Sequence, residues 1–197
     1  METNTALAAR LKSARYERGL TLDQLAEASG VSRAALSKIE RGEASPTAAL
    51  LARLAAGLGT SVASLFAPSG EERAPANASP LAHAADQPAW TDPQSGYERR
   101  NVSPPAARIA AAKGAAEIVD VRFPPGARVV FDNALGWHGV AQQVWVLEGA
   151  IAMTVGEETT RLGPGDCLFM RLDRPIVFHN PGEASARYAV VLSRLNA

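Results

Sequence analysis

Residues 21–43, TLDQLAEASGVSRAALSKIERGE, hold the side chains best suited to chemistry on a polyanion. Ser32, Arg33, Ala34, Ser37 and Lys38 fall on one face of a helix. Val31, Leu36 and Ile39 fall on the other and would point inward. Arg33 offers two parallel donors that match the O6/N7 edge of guanine, a pairing worth roughly 1–3 kcal/mol of discrimination. Lys38 can serve a base edge or a phosphate. A short helix, a turn at Gly30 and a second helix would present that second helix outward. Its first turn could then enter a major groove about 12 Å wide. Two plainer readings compete. The charges could be merely solvated, or the segment could be a helical protein-interaction module, although its outer face offers little apolar area to bury.

Residues able to ligate a metal or shuttle a proton are few: three histidines (His83, His138 and His179) and one cysteine, Cys167. One cysteine makes no internal disulfide and no cysteine-based zinc finger, a usage that suits a reducing cytoplasm. There is no glycine-rich phosphate loop, and no Ser-His-acid order can be anchored on His138 or His179. His83 reads as a solvated residue. Cys167 reads as a small core residue, and Trp137, Trp145, Phe169 and Phe178 as core or wall aromatics.

The elements that must position these residues divide the 197-residue chain in two. In the first part the apolar residues recur at helical spacing: Leu7, Leu11 and Ala14; Leu22, Leu25 and Ala26; Leu36 and Ile39; then Leu50, Leu51, Leu54 and Leu58. Thr21 and Ser32 are natural N-caps, and Ser45-Pro46 reads as the start of a fourth helix. A short fifth would end near Phe66. Residues 68–95 are rich in proline, alanine, serine and acid without a period, and read as a linker. From Tyr97 the period approaches two. Glycines at 126, 136, 149, 156, 165 and 182 punctuate runs such as EIVDVRF and QQVWVLEG, the pattern of an all-β sandwich or barrel. The expected division is therefore 1–67, linker 68–95 and 96–197.

Charge agrees with this division. Lys plus Arg and Asp plus Glu both total 20. Residues 1–66 carry eight cations against six anions, and the remainder twelve against fourteen, net charges of +2 and −2. The first part can thus approach phosphates while the second stays clear of them. No run of about eighteen apolar residues occurs, so no membrane span is expected. The stretch METNTALAARLKSAR does not read as a secretory signal.

LTLDQLAEASGVS, LSKIERGEASPT and LARLAAGLG, over residues 6–66, resemble the lambda-repressor-like (Xre) helix-turn-helix family. That resemblance implies base readout by Ser32, Arg33, Ala34, Ser37 and Lys38. It implies a phosphate contact at Thr21, with Leu22 unable to add a side-chain one, and a structural pair of Arg15 with Glu40. FPPGA, WVLEGAIAMTVG, RLGPGD and FHNPGEASARYAVV, over residues 97–195, resemble the cupin family as found behind such domains. Cupin metal ligands would fall on Gly136, His138, Gln142 and Ile176. Three of these are not ligand types, so no metal or other cofactor is implied. His179, an odd offset from Ile176, would point away from the interior.

The expected fold is α+β in two domains: a five-helix lambda-repressor-like domain, then an all-β cupin (double-stranded β-helix) barrel. The expected protein is a cytoplasmic, homodimeric transcriptional regulator and not an enzyme. It would bind a two-fold double-stranded DNA operator and respond to a small-molecule effector. The effector pocket would be lined by Gly136, His138, Gln142, Val144, Ile176 and Phe178, with His138 equally readable as a buried polar residue. The alternatives are a cupin enzyme with an accessory helical domain and an adaptor whose barrel only dimerises.

Overall fold

Hydroxyl caps decide where the helices begin. Thr21 Oγ1 accepts from the Gln24 amide at 3.1 Å, and the Gln24 side chain accepts from the Thr21 amide at 2.8 Å. This reciprocal capping box starts a helix at Leu22. Ser32 Oγ accepts from the Ala35 amide and starts the next at Arg33. In the computed structural model, which describes residues 2–60, 62–66, 79–104, 116–132 and 140–194, the helices are α1 Glu2–Glu17, α2 Leu22–Ser29, α3 Arg33–Glu40 and α4 Ala48–Gly57. α4 starts two residues later than Ser45-Pro46 suggests, because the Thr47 hydroxyl caps the Leu50 amide. The expected fifth helix is a single 3-10 turn, Ala63–Phe66. Four residues are too few to build an α-helical ladder. The described helical domain therefore has four α-helices, not five.

Leu11, Leu25, Leu36, Leu51, Leu54 and Leu58 interlock as its core, each almost wholly excluded from water. Beside them lies a buried ion pair. Arg15 Nε and Nη2 donate to the two Glu40 carboxylate oxygens at 2.7 and 2.8 Å, and Arg15 Nη1 donates to the Leu20 carbonyl at 2.9 Å. The pair expected from the resemblance is thus present, and it ties α1 to the end of α3. No helix among the described residues is long and apolar enough to cross a membrane.

Among the described residues the second part has ten strands: β1 Ala89–Thr91, β2 Glu98–Asn101, β3 Glu117–Phe123, β4 Arg128–Phe131, β5 Val140–Glu148, β6 Ile151–Val155, β7 Glu158–Leu162, β8 Cys167–Arg171, β9 Ile176–His179 and β10 Ala186–Arg194. They form two antiparallel sheets, ordered β1-β2-β3-β10-β5-β8 and β4-β9-β6-β7. Among the described residues both sheets are open, since the edge strands of one do not pair with those of the other, so the expected closed barrel is two sheets. Part of the segment read as linker is regular structure: a 3-10 turn at Ala84–Asp86, then β1, whose Trp90 is 4% exposed. The reason is apolar burial. Trp90 sits between Phe66 and Tyr97, with ring centroids 6.1 Å apart on each side.

Removing one partner of a buried ion pair strands the other, at a cost of about 3–5 kcal/mol. Glu40→Ala should lower the unfolding free energy of the helical domain by about that much, read as a lower urea midpoint for the helical signal. A loss below about 1 kcal/mol would show that the pair is solvated.

Candidate functional site

The N-cap at Ser32 exposes the first turn of α3. Ser32, Arg33, Ala34 and Lys38 are exposed and Ser37 is half-buried, whereas Leu36 and Ile39 are buried. The inner and outer faces are therefore divided as the spacing predicts. Thr21, at the start of α2, is exposed as well. Arg33 Nε lies 2.9 Å from Asp23 Oδ1, and both side chains are about two-thirds exposed or more. A pair so exposed contributes little to stability and can exchange its partner for another anion. The Ser37 hydroxyl accepts from Arg41, whose guanidinium also holds Glu43 at 2.6 Å.

The α2–α3 turn depends on a residue that sequence reasoning missed. Arg53, on α4, donates from Nε to the Ser29 carbonyl at 3.1 Å and from Nη2 to the Gly30 carbonyl. These carbonyls end α2, where backbone acceptors lack helical partners. Gly30 has φ +63°, and a Cβ there would run into the Arg53 guanidinium. No local signal marks Arg53, because its partners lie 23 and 24 residues earlier.

The second candidate region is a cavity of about 90 Å³ at the junction of the two parts. The second part contributes Tyr97 just before β2, Arg99 from β2, Phe131 from β4, Gln142 from β5, Ile176 and Phe178 from β9, and Tyr188 from β10. The helical part closes it with Ala52 of α4 and with Val62. Of the predicted pocket residues, Gln142, Ile176 and Phe178 line this cavity. Val144 is fully buried yet lies off it. Gly136 and His138 lie outside the described residues. The alternating burial along β9 turns Ile176 and Phe178 inward and His179 to the opposite face, as its odd offset predicts.

Polar groups are sparse here. Gln142 is 7% exposed and donates from Nε2 to the Met170 sulfur at 3.2 Å. Burial pushes the Tyr97 and Tyr188 phenols up from their ordinary value, so both remain neutral hydroxyls at neutral pH. Arg99 Nε and Nη2 are buried without a hydrogen-bond partner among the described residues.

Three side chains read as interior are not. Trp145 and Phe169 are 49% and 59% exposed, and Cys167 is exposed beside Trp145 in the β5–β8 register. The pleat decides this. On β5 the residues 142, 144 and 146 point inward, so 143 and 145 must point outward. With Ile118, 42% exposed on β3, they make an apolar outer face on the larger sheet.

Comparison with known proteins gives matches to both parts. Residues 11–65 match the family described as Helix-turn-helix, and residues 119–192 match the family described as Cupin domain. The HTH-type transcriptional regulator SutR of Escherichia coli (strain K12) is 28% identical over 189 residues, covering 92% of this chain and 91% of its own. The crystal structure of an HTH_3 family transcriptional regulator from Vibrio cholerae superposes with TM-score 0.76 at 26% identity, covering 99% of this chain and 98% of that one. Hydroxypropylphosphonic acid epoxidase from S. wedmorenis also aligns, at 22% identity and TM-score 0.46 over 95% of this chain and 97% of its own, too distant a likeness to bear on activity. An Xre-like helix-turn-helix part, a cupin part and full-length likeness to two regulators together place this chain among the helix-turn-helix transcriptional regulators that carry a C-terminal cupin domain.

Proposed function

We propose that two copies of this chain read a two-fold DNA operator in the cytoplasm, and that a small molecule in the interdomain cavity sets their affinity for it. The observation that carries the control reading is the cavity wall itself. Ala52 and Val62 come from the helical part and the remaining lining from the second part, so an occupant touches both. A ligand shifts an equilibrium only through differential contact with its two states, and an interdomain site supplies that contact. Gln142, Ile176 and Phe178 are its effector residues, with Gly136 and His138 joining them. The cupin part senses rather than catalyses: Gln142 and Ile176 occupy positions where the resemblance would require metal ligands.

In this reading Arg33 addresses a guanine edge, Lys38 a base or phosphate, and Ser32, Ala34 and Ser37 pack close to the groove. Thr21 contacts phosphate at the start of α2, where the helix dipole favours an anion. The apolar outer face with Ile118, Trp145 and Phe169 is the surface on which the second copy docks. Large exposed apolar side chains gathered on one sheet face mark an interaction site, and a two-fold operator calls for two recognition helices.

Three results follow. Arg33→Ala should cost the operator roughly 1–3 kcal/mol in a gel-shift titration while leaving binding to random DNA nearly unchanged. An equal loss on both would make Arg33 a phosphate contact. Trp145→Lys should convert a dimer into a monomer by light scattering at micromolar concentration. A monomeric parent chain would remove the dimer reading. A thermal-shift screen of metabolites on the full chain should find a compound that raises the melting temperature and changes operator affinity. Gln142→Leu should abolish both responses to that compound. Responses that survive the substitution would place the effector elsewhere.

A further inference from the structure

Among the described residues Arg99 is the one cationic side chain lining the cavity. Strand register sets it between Trp90 on β1 and Val121 on β3, both buried, and on the same face as Tyr97. The Phe66 ring lies 5.8 Å from its guanidinium carbon. Arg99 is half-buried, with Nε and Nη2 buried, and a guanidinium does not deprotonate in a protein, so this edge cannot escape the cost of desolvation by becoming neutral. Two acids adjacent to this register in sequence are engaged elsewhere. Asp92 accepts from the Ala48 amide and from Ser95, and Asp120 holds Arg100 and Arg187 on the outer side of the sheet. No carboxylate pairs with Arg99 among the described residues.

The geometry of the unsatisfied atoms says more than their number. Nε and Nη2 lie along one edge of the guanidinium plane, and their two N–H bonds run parallel. This chain already shows what that edge does: Arg15 uses the same two nitrogens to grip both oxygens of Glu40. Around the Arg99 edge the cavity is mostly hydrocarbon, with Phe131, Leu172, Ile176 and Phe178, and its other polar points are Gln142 and the hydroxyls of Tyr97 and Tyr188.

We infer that the cavity takes a small monoanionic acid, a carboxylate or sulfonate with a compact hydrocarbon body, whose acid group docks on Arg99 through Nε and Nη2. The body lies against the aromatic and branched side chains, and the anion pairs with a guanidinium edge whose Nε and Nη2 are buried without a hydrogen-bond partner among the described residues. This rests on the reading of the cavity as the effector site, and it adds the ligand's charge and class.

The test uses the full chain and named probes: 3-methylbutanoate and benzoate, their uncharged amides, and benzenesulfonate. Thermal shift and calorimetric titration should show at least one acid binding with one-to-one stoichiometry, and its amide binding at least tenfold more weakly. Carboxylate against sulfonate then tells which acid group the edge prefers. Arg99→Met should remove acid binding and, with no probe present, raise the melting temperature, because two buried N–H groups without a partner have been deleted. Arg99→Lys should keep the charge, lose the two-point grip and weaken acid binding at least tenfold. A lower melting temperature in Arg99→Met would assign Arg99 a structural role and overturn the inference, as would equal binding of acid and amide or binding of none of the acids. Equal binding of the amide together with altered operator affinity overturns only the anion and leaves effector control standing. Acid binding without any change in operator affinity supports the anion site and removes effector control.

Discussion

One buried carboxylate holds the two parts of this protein together. Asp92 is 3% exposed and sits just after β1. Its Oδ1 accepts from the amide of Ala48, the first residue of α4, at 3.0 Å. Its Oδ2 accepts from the Ser95 amide at 3.0 Å and from the Ser95 hydroxyl. Each oxygen therefore serves a different part of the chain. A helix N-terminus carries unsatisfied amides and a partial positive charge, so a carboxylate there is favoured twice, by hydrogen bonding and by the dipole. The consequence is positional. Ala52 lies one turn after Ala48, on the same side of α4, so seating Ala48 on Asp92 also seats Ala52 over the cavity.

Aromatic contact extends this junction into the sheets. Phe66 meets Trp90, Trp90 meets Tyr97, Tyr97 meets Phe123, Phe123 meets Tyr188, and Tyr188 stacks on Phe178, which meets Phe131. Centroids throughout are 5.7 to 6.1 Å apart, within the range where edge-to-face and offset pairs add roughly 0.5–1.5 kcal/mol beyond burial. Tyr97, Phe131, Phe178 and Tyr188 of this run also line the cavity. The packing that joins the domains is thus the same packing that shapes the pocket, and an occupant cannot displace one without straining the other.

The helical part was legible because its signals are local. Thr21, Ser32 and Gly30 state the helix ends within a few residues, and the leucine spacing states the inner face. Strand burial was legible where alternation decides it, as at Ile176, Phe178 and His179. What sequence reading missed depends on partners far along the chain. Trp90 lies in a stretch whose composition reads as linker, and only Phe66 and Tyr97 make it a core residue. Arg53 and Arg99 look like ordinary surface cations until the fold sets one against the Gly30 turn and the other in a cavity. Trp145 and Phe169 read as interior because hydrophobicity says nothing of which face of a sheet a residue occupies. Register does, and a shift of one position reverses it.

The same geometry bears on how occupancy of the cavity can reach DNA. Ala52 and Arg53 are adjacent on α4. The first faces the cavity, and the second holds the carbonyls of Ser29 and Gly30, immediately before the Ser32 cap that starts α3. In the proposed mode of control, a ligand that pushes on Ala52 turns or slides α4 against a fixed point at Asp92. Arg53 transmits that motion to the α2–α3 turn. The turn has little slack: Gly30 is in the left-handed region, and the Arg53 guanidinium packs where a Cβ would stand. In this mode α3 changes its angle rather than unfolding, because neither Leu36 and Ile39 beneath it nor the Arg15–Glu40 pair lines the cavity.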